Sequence, residues 1–187
     1  LFKRTWPAYE RWFLNKGVEQ QPTYLQCLRE LRRHMPELLP VYERLCALAG
    51  GGDTTARFLS MYCPPAFYAG CSQAVWTKTT PFLVRNYDYH PALLEGTILQ
   101  SQWLGQPVIA SGDGLWGVLD GMNSAGLVVS LAFGGRRVVG KGFGIPLISR
   151  YILEVARDVQ DAIAILKRVP SHMSYNITLL DKVGQYA

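Results

Sequence analysis

The stretch Phe67-Tyr68-Ala69-Gly70-Cys71-Ser72-Gln73-Ala74-Val75-Trp76-Thr77 is where the grammar of this 187-residue chain changes. Upstream of it, apolar residues recur at helical spacing between Pro and Gly punctuation. The pattern predicts a helix over 7–16, with Pro7 at its start and Gly17 just past its end, and a second over 22–35, with Leu25, Leu28 and Leu31 on one face. A third is expected over 40–49, stopped by Gly50-Gly51-Gly52, and a fourth from Asp53 as its cap to about residue 61. Downstream the runs are short and β-rich, predicting strands over 72–77, 82–87, 97–103, 107–111, 117–123 and 127–133. Amphipathic helices follow over 145–157 and 159–169, then a strand over 175–181 and the start of a returning strand at Tyr186-Ala187. A sheet edge left so bare suggests a longer parent, or a partner strand supplied by another segment. Helices, then strands, then helices, then a strand argue for an α+β fold with segregated layers, divided at Gly70 and Cys71 into a 1–70 helical prefix and a 71–187 sheet-bearing part.

Composition narrows the classes. With 49% apolar and only 18% charged residues the chain buries a core readily, which argues against disorder. No apolar run approaches the roughly 18 residues of a membrane-spanning helix, and the mixed charge of residues 1–15 does not read as a leader, so a cytoplasmic protein with no membrane partner is expected. A net charge of +5, spread over both parts, is too mild for nucleic-acid binding. Cys27, Cys46, Cys63 and Cys71 form no CxxC pair, and with only His34, His90 and His172 beside them no metal site is expected. Cys27, Cys46 and Cys63 read as packing residues.

Cys71 carries a specific chemistry. If the Gly70–Cys71 bond breaks, Cys71 gains a free α-amine beside its own thiol, and an amine with a pKa of roughly 8 is a competent base near neutral pH. Nucleophile and base then belong to one residue. The cut can be self-made, by attack of the thiol on the Gly70 carbonyl, and a residue without a side chain admits the sulfur and tolerates strain there. Arg85 and Asp88 follow in Val84-Arg-Asn-Tyr-Asp-Tyr89: a guanidinium beside the thiol favours thiolate, and a carboxylate near the new amine orients it. A surface ion pair at a strand end is the plainer reading of that pair. Leu119-Asp-Gly-Met-Asn-Ser-Ala-Gly-Leu127 is locally no more than two strands and a turn.

Together, Gly70-Cys71, Arg85-Asn-Tyr-Asp88 and Asp120-Gly-Met-Asn-Ser-Ala-Gly-Leu127 resemble, in order and spacing, the N-terminal-nucleophile (Ntn) hydrolases. Within them the chain is similar to the penicillin acyltransferase group, the acyl-coenzyme A:6-aminopenicillanic acid acyltransferase-like proteins, with bile salt hydrolase, penicillin V acylase and acid ceramidase as more distant relatives. The resemblance implies a four-layer αββα sandwich, incomplete at its C-terminus here, with residues 1–70 as a propeptide-like segment and residues 71–187 as the N-terminal part of the sandwich. It also implies a zymogen that cleaves itself between Gly70 and Cys71, then hydrolyses or transfers at a non-peptide amide or acyl thioester through an acyl-Cys71 intermediate. Cys71 matches the nucleophile, Arg85 the arginine near the thiol and Asp88 the carboxylate near the α-amine. Asn123 matches a turn residue read as structural. Where choloylglycine-type relatives carry an oxyanion Asn, this sequence has Ser130-Leu-Ala-Phe133, leaving backbone N–H groups as donors. The family also continues beyond the length given and supplies a further catalytic Asn there, so activity is expected of the full-length parent; the alternative is a degenerate member serving binding or assembly.

The implied partner is a small acyl amide or acyl thioester, acyl-coenzyme A among them, with no cofactor and a homo-oligomer as the default. Trp103, Trp116 and Phe133 are candidates for an acyl pocket, with core packing as their plainer role. The basic loop Gly134-Gly-Arg-Arg-Val-Val-Gly-Lys-Gly142 offers charge to an anionic substrate but lacks a phosphate-loop pattern. The sequon Asn176-Ile-Thr178 is discounted because it falls on a strand expected to be buried.

Overall fold

The computed structural model describes residues 1–91 and 94–187. Four helices precede the composition break: α1 (Phe2–Phe13), α2 (Tyr24–His34), α3 (Leu39–Leu48) and α4 (Asp53–Leu59). α2 begins where local chemistry dictates, with the Thr23 hydroxyl accepting from the Gln26 N–H and the Gln26 side chain answering to the Thr23 N–H. α1 differs from expectation: it starts at Phe2, and Pro7 lies inside it. A proline there forfeits one hydrogen bond. The offset is tertiary, because Trp6, Tyr9, Trp12 and Phe13 gather around Phe58 of α4 with ring centroids 5.4, 4.9, 6.4 and 5.7 Å away. Asp53 is likewise the first helical residue and not the cap; Gly52 takes that place, and the Asp53 carboxylate meets Arg57 at 2.7 Å.

Strands β1 (Gly70–Trp76) and β2 (Phe82–Asp88) form an antiparallel hairpin, and β3 (Ile98–Ser101), β4 (Val108–Asp113), β5 (Gly117–Asn123), β6 (Val128–Phe133) and β7 (Tyr175–Leu180) form a five-stranded antiparallel sheet in sequence order. Helices α5 (Ile145–Val155) and α6 (Val159–Arg168) lie between β6 and β7 in the chain. The returning strand expected at the end does pair: Leu179 and Ala187 exchange backbone hydrogen bonds of 2.9 and 3.1 Å.

Alternation along each strand decides the layers. Leu119, Val129, Leu131 and Leu179 turn to one side of the large sheet and join Leu147, Ile148, Tyr151 and Ile152 of α5 in the core. Phe13, Leu31, Tyr42 and Phe58 of the first four helices belong to the same core. On the other side, Gln73 of the hairpin donates to the Ser130 hydroxyl at 2.6 Å and accepts from the Thr178 hydroxyl at 2.8 Å, seating β1 over β6 and β7. The chain is thus α+β with a helical prefix, and shows three of the four expected layers: helices, large sheet, hairpin. The hairpin's outer face is open, with Trp76, Phe82 and Val84 about half exposed. Asn176 is exposed on β7, so the burial expected of the sequon does not hold.

Candidate active site

The hairpin register sets Gly70 opposite Asp88, Cys71 opposite Tyr87 and Gln73 opposite Arg85. Odd-numbered residues of β1 and β2 face the large sheet, so Cys71 and Arg85 point into the gap between the layers. There the Arg85 guanidinium, only 5% exposed, is fully directed. Its Nε donates to the Leu131 carbonyl at 3.0 Å, Nη1 to the Asp120 carboxylate at 2.9 Å and Nη2 to the Cys71 sulfur at 3.4 Å. Its carbon lies 4.4 Å from the centre of the Tyr87 ring. Arg85 does not make the surface ion pair with Asp88 that the strand-end reading allowed.

Asp88 reaches the junction from the opposite face. A methyl group on Gly70 would lie 3.1 Å from Asp88 Cβ and 3.6 Å from its Oδ2, so any larger residue would crowd that side chain. Gly70 sits in a paired strand and is not among the residues with left-handed backbone. The Asn86 amide donates to Asp88 Oδ1. The Gly70–Cys71 bond therefore has a thiol and guanidinium on one side and a carboxylate on the other. Tyr68, Ala69, Tyr89 and His90 complete an open depression around Gly70 and Asp88.

The aromatic candidates separate. Phe133 stands near the site, 5.1 Å from Tyr68 and 6.3 Å from Tyr175, and the Arg137 guanidinium of the basic loop covers the Tyr68 ring at 5.2 Å. Trp116 lies in the core instead, its indole donating to Leu59 at 2.9 Å, and Trp103 packs on it under Arg150. Both belong to the helix side of the large sheet, away from Cys71. Burial raises the thiols of Cys27, Cys46 and Cys63, as their packing role requires. His172 is buried and pushed down by desolvation, and the His34 ring contacts the Arg168 carbonyl at 3.1 Å. Among the described residues no group of three or more His, Cys, Asp or Glu is placed to hold a metal, and no helix is long and apolar enough to cross a membrane.

Two acidic features were not singled out from the sequence. Asp120 holds Arg85, and its signal was present: on β5 it lies three residues from Asn123, hence on the opposite face. The second is a cluster of Tyr9, Glu95 and Asp113. The Asp113 carboxyl is pushed up to about 7, first by desolvation and then by the Glu95 charge. Burial, with the Asp113 charge second, also raises the Tyr87 and Tyr175 hydroxyls, and the Tyr175 hydroxyl donates to the Met173 sulfur at 3.7 Å.

The hairpin and large sheet thus bring together a cysteine at the start of β1, an arginine on its sulfur and a carboxylate across the strand. Residues 75–187, more than half of the chain, match the family described as acyl-coenzyme A:6-aminopenicillanic acid acyl-transferase, and the chain belongs to that family. Among solved structures it is similar to penicillin V acylase from Agrobacterium tumefaciens, at 16% identity and a TM-score of 0.34, over 64% of this chain and 38% of that one. The chain thus spans well under half the length of that protein. No curated protein matches it.

Proposed function

We propose that the whole protein is a cysteine Ntn hydrolase or acyltransferase acting on a linear amide or acyl thioester, and that residues 1–70 are its propeptide. In the maturation step the Cys71 sulfur attacks the Gly70 carbonyl carbon; a C–S bond forms, the C–N bond breaks, and the thiol proton ends on the new α-amine. Water then hydrolyses the thioester, releasing the prefix as a carboxylate and restoring the thiol. In turnover the α-amine takes the thiol proton as sulfur attacks the acyl carbon, and returns it to the leaving amine or thiolate. The acyl group on Cys71 passes to water or to an acceptor amine. Arg85 holds the sulfur, and Asp88 orients the amine.

The observation that carries this reading is the 3.4 Å contact between Arg85 Nη2 and the Cys71 sulfur at a glycine pressed against Asp88. Intact mass of the full-length parent tests it. Two fragments divided at Gly70 and Cys71, and one uncut chain for Cys71→Ala, are expected. An uncut wild-type chain, with Cys71 no more reactive toward a thiol probe than Cys46, would leave a binding or assembly role. A panel of acyl amides and acyl thioesters with amine acceptors then separates hydrolysis from transfer.

A further inference from the structure

We infer that Asp120 is the positioning residue for Arg85, fixing which guanidinium nitrogen meets the Cys71 sulfur; this rests on the reading of Cys71 and Arg85 above. A guanidinium is a rigid plane with five N–H groups, so two anchored vertices fix the direction of the third. Here the Leu131 carbonyl anchors Nε at 3.0 Å and the Asp120 carboxylate anchors Nη1 at 2.9 Å, leaving Nη2 on the sulfur. The Tyr87 ring supports one face of the plane but does not stop it turning within that plane. Leu131 alone leaves one vertex held and rotation free.

Asp120 comes from β5 and Arg85 from β2, so the bond crosses the gap between the sheets and ties the nucleophile's hairpin to the large sheet. The strand geometry explains the motif. Asp120 and Met122 face the hairpin, whereas Gly121 and Asn123 face the helices. Gly121 has to be glycine, since a methyl there would lie 2.5 Å from the Ala110 Cβ. One short segment therefore anchors a turn on one side and the arginine on the other.

A positioning role and a purely electrostatic one predict opposite results. The Asp120 charge opposes the stabilisation that Arg85 gives a thiolate, so if charge were its contribution, removing it would speed the reaction of Cys71. If orientation is its contribution, deletion slows it. The experiment is iodoacetamide labelling of the full chain followed peptide by peptide across pH 6–9, with Cys27 labelling as the internal report on unfolding. Asp120→Ala is expected to label Cys71 roughly tenfold more slowly at neutral pH, the scale of one hydrogen bond to a charged group, with its pH profile moved to the alkaline side and Cys27 unchanged. Asp120→Asn, which keeps an oxygen acceptor, is expected to stay close to wild type. In an Arg85→Ala background Asp120→Ala has no further effect. The inference is overturned if Asp120→Ala matches or exceeds wild type, or if its loss persists without Arg85. A wild-type rate no faster than that of Arg85→Ala removes the Arg85–Cys71 reading itself, and this inference with it.

Discussion

Tyr9, on the first helix of the prefix, donates its hydroxyl proton to the Glu95 carboxylate, 86 positions away in sequence. The same oxygen accepts from the Gly114 N–H at 3.1 Å, and Glu95 accepts from the Leu115 N–H at 2.8 Å. These bonds hold the β4–β5 turn, where Leu115 adopts the left-handed backbone (φ 73°) that a branched residue avoids. Tyr9→Phe takes one donor from the buried Glu95, which keeps the Leu115 N–H, and leaves the Gly114 N–H without its acceptor. A loss of about 1–3 kcal/mol is expected, measured as a lower urea midpoint, with faster hydrogen exchange in α1. Unchanged exchange in α1 would show that the aromatic cluster around Phe58 holds the helix alone.

The neighbouring Asp113 makes stability depend on pH. Its folded carboxyl is raised to about 7, mainly by desolvation, and faces Glu95, Tyr9 and Arg85, with Tyr87, Tyr89 and Tyr175 around it. A raised acid favours the fold while protonated. Its contribution is complete below the ordinary carboxyl range and is lost as pH climbs through about 7. Between pH 5 and 8 the loss is expected to be about 2–3 kcal/mol. His172, depressed by burial, contributes in the opposite direction, so the quantity to compare is wild type against Asp113→Asn at each pH. The variant should lose the alkaline decline; parallel curves would show that Asp113 does not carry it.

How much of this was readable in the sequence follows from the range of the interactions. The α2 cap is a three-residue motif, and the hairpin follows from alternation and turn residues, so both are written locally. Cys71, Arg85 and Asp88 could be brought together from the hairpin register alone. The start of α1 could not, because what keeps Pro7 inside the helix is a ring cluster closed by Phe58. Trp103 and Trp116 were open for a related reason: an aromatic residue declares burial, but which side of a sheet buries it depends on the helices that come to lie there. Asp120 was visible as a residue, while its partner lay on another sheet.

The Arg150–Glu154 pair, fully buried at 3.2 Å on α5, tests the helix side. Arg150 also donates to the Trp116 carbonyl at 3.1 Å and the Ser101 hydroxyl at 2.8 Å, and lies over Trp103. Desolvation works against both charges. Arg150→Met should cost about 3–5 kcal/mol by stranding Glu154, whereas Arg150→Met with Glu154→Leu should recover most of it. Urea unfolding of the three proteins decides; a double variant as unstable as the single one would mean that the bonds to Ser101 and Trp116 dominate.

Asn123 provides the counterpart to Asp120 at the other end of the same segment. Its Oδ1 accepts from the Ala125 and Leu127 N–H groups, each at 3.1 Å, closing the β5–β6 turn. Its Nδ2 donates to the carbonyls of Leu153 at 3.1 Å and Ala156 at 2.8 Å, at the end of α5. Every polar atom is used and the residue is 3% exposed, on the side of the sheet away from Cys71. Asn123→Ala therefore strands the Ala125 and Leu127 N–H groups, while the Leu153 and Ala156 carbonyls keep the Gln106 amide as a donor at 2.7 and 3.1 Å, and should cost on the order of 3 kcal/mol. Asn123→Asp should be worse, since it sets a carboxylate against two carbonyl oxygens. In conditions where either variant remains folded, the labelling rate of Cys71 should equal that of wild type. A stable Asn123→Ala chain with slowed Cys71 labelling would give Asn123 a part in the chemistry and end its assignment as the clasp between turn and helix.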